Sequence, residues 1–197
     1  MNKDFLAEIE KLQNKNKKKS AKKINSKQKG NRGESEFVKL LNERFKPLYF
    51  KRSPGSGALV GGQNYLKNIG LEKHVIDALS SDIIVPTPFV FQLEHKSYKK
   101  ESLLMSHLLR YKKEDNISKW WEEVTIDASK TDKEPMIIVK LDRAERFCVI
   151  RYDYIKSYFG DEINLFNYII LKRENEELFF IELESLFKLN DDFWIKK

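Results

Sequence analysis

The chain has one cysteine, Cys148, so no disulfide can close within it and a cysteine-rich zinc site is excluded. Its three histidines, His74, His95 and His107, show no zinc-ligand spacing. The glycines Gly55, Gly57, Gly61 and Gly62 are followed by no Gly-Lys-Ser/Thr, so they make no phosphate-binding loop of the nucleotide-hydrolase kind. No apolar run approaches the ~20 residues that span a bilayer. The opening MNKDFLAEIEKLQNKNKKKS lacks the apolar centre of a secretory signal. These absences lead us to expect a protein of a reducing compartment, most simply the cytoplasm.

What is present is enough for a core. Hydrophobic residues make up 41% of the 197 and aromatics 12%, while charged residues at 34% exceed the usual quarter and imply a heavily charged surface. That length suits one domain, or one domain with a tail. Acidic residues are missing altogether from 11–33, which hold ten Lys or Arg. The formal net charge is +7, yet residues 34–197 sum to −1, so the basicity belongs to the leading segment. A block of like charge resists folding and is a common nucleic-acid-binding arm.

The pattern predicts residues 1–29 as a basic helix and tail and 30–197 as the folded domain. Apolar positions 37, 38, 40, 41 and 45 predict an amphipathic helix over 33–45, ended by Pro47. LYFKR (48–52) reads as a strand and SPGSGALVGG as a loop. SDIIV (81–85) and FVFQLEHK (89–96) read as a hairpin turned by Pro86-Thr87-Pro88. Residues 99–130 read as two helical pieces broken near Asp115-Asn116, with Trp120 and Trp121 in the core or at its rim. Two further hairpins, 135–141 with 146–152 and YIILKR with LFFIEL, surround a short helix, and another follows at ESLFKL. This order predicts an α/β domain with a central mixed β-sheet flanked by helices.

The stretch that carries chemistry is Asp82 followed by Gln92-Leu93-Glu94-His95-Lys96. Residues two apart on a strand share a face, so Glu94 and Lys96 project together, about 7 Å apart along the chain. Asp82, opening the preceding strand, can converge on the same point. Adjacent carboxylates repel unless a cation sits between them, and hard oxygen ligands favour Mg²⁺ or Mn²⁺. A lysine at such a site can orient water or stabilise charge developing on a phosphate, which is the equipment of metal-assisted phosphodiester hydrolysis. The ring of His95 alternates to the opposite face and is expected to pack rather than to act as a base. Glu34 precedes the first apolar helix positions, where an acid also complements the helix dipole.

KGNRGESEFVKLL, RSPGSGA, SDIIV and QLEHK occur in that order. In this order the chain resembles the PD-(D/E)XK nuclease superfamily, and within it the archaeal-type and phage-type Holliday junction resolvases. The resemblance covers residues 29–58 and 81–141. It implies a restriction-endonuclease-like core and a Mg²⁺-dependent DNA endonuclease, with Mn²⁺ as a substitute. Asp82 and Glu94 take the metal-ligand roles, with the carbonyl of His95 as a third ligand and Glu34 supporting the ion directly or through water. Lys96 takes the catalytic lysine role, and Ser56 that of the loop serine near the scissile phosphate. Arg32 and Arg52 fall at basic positions expected to contact DNA, and Lys99 and Lys119, beyond the Glu-x-Lys strand, could line its path. The implied substrate is branched DNA, specifically a four-way junction, cut by a homodimer. Two departures stand out: 25 residues (57–81) separate Ser56 from Asp82, and Ser81 stands where the motif has proline. Two alternatives stay open. One is a nuclease of this fold acting on ordinary duplex in restriction or repair; the other is a basic-tailed DNA-binding protein without activity.

Overall fold

The computed structural model describes residues 26–53, 81–98, 116–142, 144–173 and 176–196, with side chains from Gly30 onward. The leading basic segment to residue 25, the glycine-rich loop from Pro54, residues 63–80 and the first predicted helical piece up to 115 lie outside the described residues.

Helix α1 (Ser26–Arg44) leads into the short strand β1 (Lys51–Arg52), which pairs antiparallel with β2 (Ile83–Ile84). Then come β3 (Phe91–Tyr98), helix α2 (Asn116–Thr131), β4 (Glu134–Leu141) and β5 (Arg146–Arg151). Helix α3 (Tyr152–Phe159) and a 3₁₀ turn (Gly160–Leu165) precede the hairpin of β6 (Tyr168–Lys172) and β7 (Glu177–Glu182), and α4 (Leu183–Phe187) follows. The main sheet runs β3-β4-β5-β7-β6; β3 and β4 are parallel and the other pairs antiparallel. A parallel pair needs a crossover, and the connection carrying α2 supplies it. The expected α/β architecture, a mixed sheet with helices on its faces, is the one observed.

The sheet is apolar on both sides because its strands alternate between two buried layers. Phe91 and Leu93 of β3, Met136 and Ile138 of β4, Cys148 and Ile150 of β5 and Phe179 and Ile181 of β7 join one core with Phe37 and Leu41 of α1 and Phe45 just after it. Ile137 and Val139, Val149, and Leu178 and Phe180 point the other way, onto Ile117, Trp120, Trp121 and Val124 of α2. The alternation of β3 therefore sends Glu94 and Lys96 to the α2 side and His95 to the α1 side.

The expected hairpin of 81–85 with 89–96 is not formed. β2 pairs with β1, while β3 pairs in parallel with β4. Pro86 and Pro88 have no N–H to donate to a ladder. The end of the chain takes the place beside them: Val90 N–H donates to the Trp194 carbonyl (2.8 Å) and Lys196 N–H to that of Pro88 (2.7 Å).

Helix α1 also begins earlier than expected, so Gly30 and Gly33 lie inside it. Gly33 is where the helix touches the sheet. A Cβ there would overlap Ser97 Oγ and sit 2.9 Å from His95 Cε1. Gly33→Ala is expected to lower stability by about 1–3 kcal/mol, the usual scale of overpacking, despite alanine's better helix propensity. Urea unfolding checks this; an unchanged or raised midpoint would show that α1 does not pack so tightly on β3.

Candidate active site

β3 is an edge strand of the five-stranded sheet, and its outer side is where the acids gather. Asp82 stands immediately before β2, held there by the β1 segment: Ser53 N–H donates to the Asp82 carbonyl at 2.9 Å. The Asp82 carboxyl lies beside the backbone N–H of His95 and the Glu94 carboxyl, and both act on its ionisation. N–H and C=O of one strand residue point to the same side, so the His95 carbonyl faces Asp82 too.

Asp82 is 8% exposed. Burial raises its pKa above the ordinary carboxylate value, against the pull of Lys96 and with a further push from Glu34. Burial and the charge of Asp82 push Glu94 up to about 8. Two carboxylates this close share a proton in the absence of a cation. Lys96 Nζ lies 2.5 Å from Glu94 Oε1. Burial works against the ammonium, but Glu94, Glu123 and Asp82 outweigh it and raise the lysine's pKa. Lys96 is therefore a fixed positive charge, suited to stabilising charge rather than to accepting a proton.

Glu34 is buried, 6% exposed, and its Oε2 accepts a 2.6 Å bond from Arg52 Nε. It sits two turns inside α1, so the helix dipole, which acts within the first turn, does not account for it. Its charge reaches Asp82. Of the expected site residues, the structure thus brings together Asp82, Glu94, Lys96, Glu34, Arg52 and the backbone of His95. The ring of His95 lies on the other face, buried and stacked on Phe37 at 5.5 Å, and burial lowers its pKa to about 3. The expected packing of the ring is the one observed. Arg32 is not drawn in; it is exposed on α1 and bonded to Glu36 at 2.8 Å. Lys119 is exposed on α2. Ser56 and Lys99 lie outside the described residues.

Three residues near the acids were given no role at the site by the sequence. Glu123 and Trp120 of α2 flank Lys96, with Glu123 Oε2 3.4 Å and the Trp120 ring centroid 6.0 Å from Nζ. Gln92, buried one alternate position before Glu94, accepts a 3.1 Å bond from Thr131 of α2. Their signal was relational: Trp120 and Glu123 are three apart and so share a helix face, but only the crossover shows which strand that face meets.

The donor set fits a divalent ion of the hard kind. A buried carboxyl pair that must otherwise hold a proton gains from a cation between its members. Among the described residues no group of three or more His, Cys, Asp or Glu side chains is close enough to hold a metal. Two carboxylates, one backbone carbonyl and water are a set that Mg²⁺ accepts, since it keeps several of its waters.

A mixed sheet presenting Glu94 and Lys96 at its parallel edge, with Asp82 beside them just before β2 and Glu34 on the preceding helix, defines a restriction-endonuclease-like core. The family model described as "Phage putative PDDEXK endonuclease" matches residues 25–196, and the chain belongs to that family. It is also similar to Protein D14 of Escherichia phage T5, with 29% identity over 128 residues, covering 62% of this chain and 68% of that protein. No solved structure matches the chain. The nuclease class expected from the motif order is thereby shown. No helix among the described residues is long and apolar enough to cross a membrane.

Proposed function

We propose that the chain is a Mg²⁺-dependent endodeoxyribonuclease, active as a homodimer on branched DNA and preferring four-way junctions. The observation that carries the reading is the close Asp82–Glu94 carboxyl pair with Lys96 Nζ 2.5 Å from Glu94 Oε1. Asp82, Glu94 and the His95 carbonyl would hold the ion. When bound, such an ion polarises a phosphoryl oxygen and lowers the pKa of its water. Lys96 then faces the phosphate as a permanent cation and stabilises the charge that develops there. Arg52 holds Glu34 beside the acids, where Glu34 can accept a hydrogen bond from water. Lys119 and the lysines of the leading basic segment supply phosphate contacts that fix the DNA without reading its sequence. Mn²⁺ would substitute for Mg²⁺ because it accepts the same oxygen donors.

Preference for a junction rests on the motif order shared with junction resolvases and on symmetry: two sites in a dimer can address opposed strands of a four-way junction. The test is cleavage of a labelled four-way junction and a linear duplex of the same sequence and length, with Mg²⁺. Paired nicks in the junction, with the duplex cut at least tenfold more slowly, are expected. Equal cutting, or sequence-specific double-strand breaks in the duplex, would replace this substrate with the restriction or repair type. Binding without cleavage of either would leave a DNA-binding protein.

A further inference from the structure

Lys96 is held from two elements. Its Nζ contacts Glu94 on its own strand at 2.5 Å and Glu123 on α2 at 3.4 Å, and lies 6.0 Å from the Trp120 ring. Helix α2 is a rigid place from which to hold it. Ile117, Trp120, Trp121, Val124 and Ala128 are buried, and Trp121 Nε1 donates a 2.7 Å bond to Glu176. Lysine is a compact charge on a flexible four-carbon stem, so its direction depends on what it is bonded to.

A Glu94 carboxylate that donates its lone pairs to a divalent ion has less to offer Lys96. Glu123 holds Lys96 from outside that carboxyl pair; its side chain is 58% exposed. An exposed carboxylate next to the place where a phosphate must sit repels the substrate. Its presence there is a cost to DNA binding, and its contact with Lys96 is the compensating interaction. We propose that Glu123 is a positioning residue: it fixes the direction of the Lys96 ammonium while Glu94 is engaged with the ion. This rests on the nuclease reading above and assigns α2 as a wall of the active site.

The roles of repeller and positioner give opposite signs in two measurements. Glu123→Ala should lower the single-turnover cleavage rate at saturating DNA about tenfold, the lower end of the scale on which outer partners of metal-site groups act. The same variant should bind DNA as tightly as the unsubstituted chain or more tightly. Glu123→Gln keeps an acceptor for the lysine and should recover most of the rate. If Glu123 acts through Lys96, the double variant Lys96→Ala/Glu123→Ala should cleave no more slowly than Lys96→Ala alone. Circular dichroism and thermal melting confirm that each variant is folded, as an exposed helix position allows.

An unchanged rate in Glu123→Ala would overturn the inference and leave the nuclease reading standing. So would a further tenfold loss on adding Glu123→Ala to Lys96→Ala, because the two residues would then act independently. Absence of cleavage by the unsubstituted chain would overturn the nuclease reading and this inference with it.

Discussion

Asp82→Asn and Glu94→Gln are each expected to abolish Mg²⁺-dependent cleavage, a loss of roughly 10³-fold or more, beyond the scale for removing one electrostatic donor. Both substitutions keep the size and remove the charge, so the loss would come from the ion and not from a cavity. DNA binding should survive, since it rests on phosphate contacts elsewhere. Stability should move the other way for Asp82→Asn. The folded-state pKa of Glu94 is raised to about 8, with burial first and Asp82 second among the causes. A carboxyl raised in this sense contributes stability that is fully present below its ordinary value of 4.5 and is lost as pH rises from there through about 8. Removing the Asp82 charge relieves the like-charge part of this loss and leaves the Glu94–Lys96 pair in place. The metal-free Asp82→Asn protein should therefore melt higher than the unsubstituted chain near pH 8, and the gap should shrink toward pH 5. Added Mg²⁺ should raise the melting temperature of the unsubstituted chain by mass action and leave that of the variant unmoved. Gel assays of cleavage, anisotropy of DNA binding and melting curves at two pH values check the set. Near-normal cleavage by either variant would remove these acids from the active site.

Lys96→Ala is expected to slow cleavage by roughly 10²-fold or more, the loss associated with one preorganised electrostatic stabiliser. The contact with Glu94 keeps the ammonium charged, so Lys96 supplies positive charge to the phosphate and no base to the water. The divalent ion should still bind, because the lysine is not a ligand. Single-turnover cleavage and calorimetric Mg²⁺ titration of the same preparation separate these effects. Loss of ion binding together with a collapsed fold would make Lys96 a structural counterion of the buried acids.

Much of the site was legible because strand alternation is a strict rule. Glu94 and Lys96 had to share a face and His95 had to leave it, and the ring of His95 is indeed buried against Phe37. The place of Asp82 came out right for a wrong reason. The two prolines stop β2 and β3 from pairing, and Asp82 reaches Glu94 because the segment after β1 holds it through Ser53 N–H. Glu34 was expected at the site from the motif order, with a second reading as a dipole-complementing acid at a helix start. Only the extra turns of α1, from Ser26, show that its burial and its bond to Arg52 need another cause. Glycines at 30 and 33 argue locally against that extension, and close packing of Gly33 on Ser97 and His95 overrides propensity there. Glu123 was invisible because nothing in the sequence says which face of α2 meets Lys96.

The central claim is that Asp82 and Glu94 form the seat of a divalent ion. Calorimetric titration of Mn²⁺ into the full chain and into Asp82→Asn, without DNA, tests it without depending on substrate choice. Saturable binding by the unsubstituted chain, accompanied by proton release as the shared carboxyl proton leaves, and its loss in Asp82→Asn are the results this account predicts. Binding of equal strength in both proteins would place the ion elsewhere and contradict it.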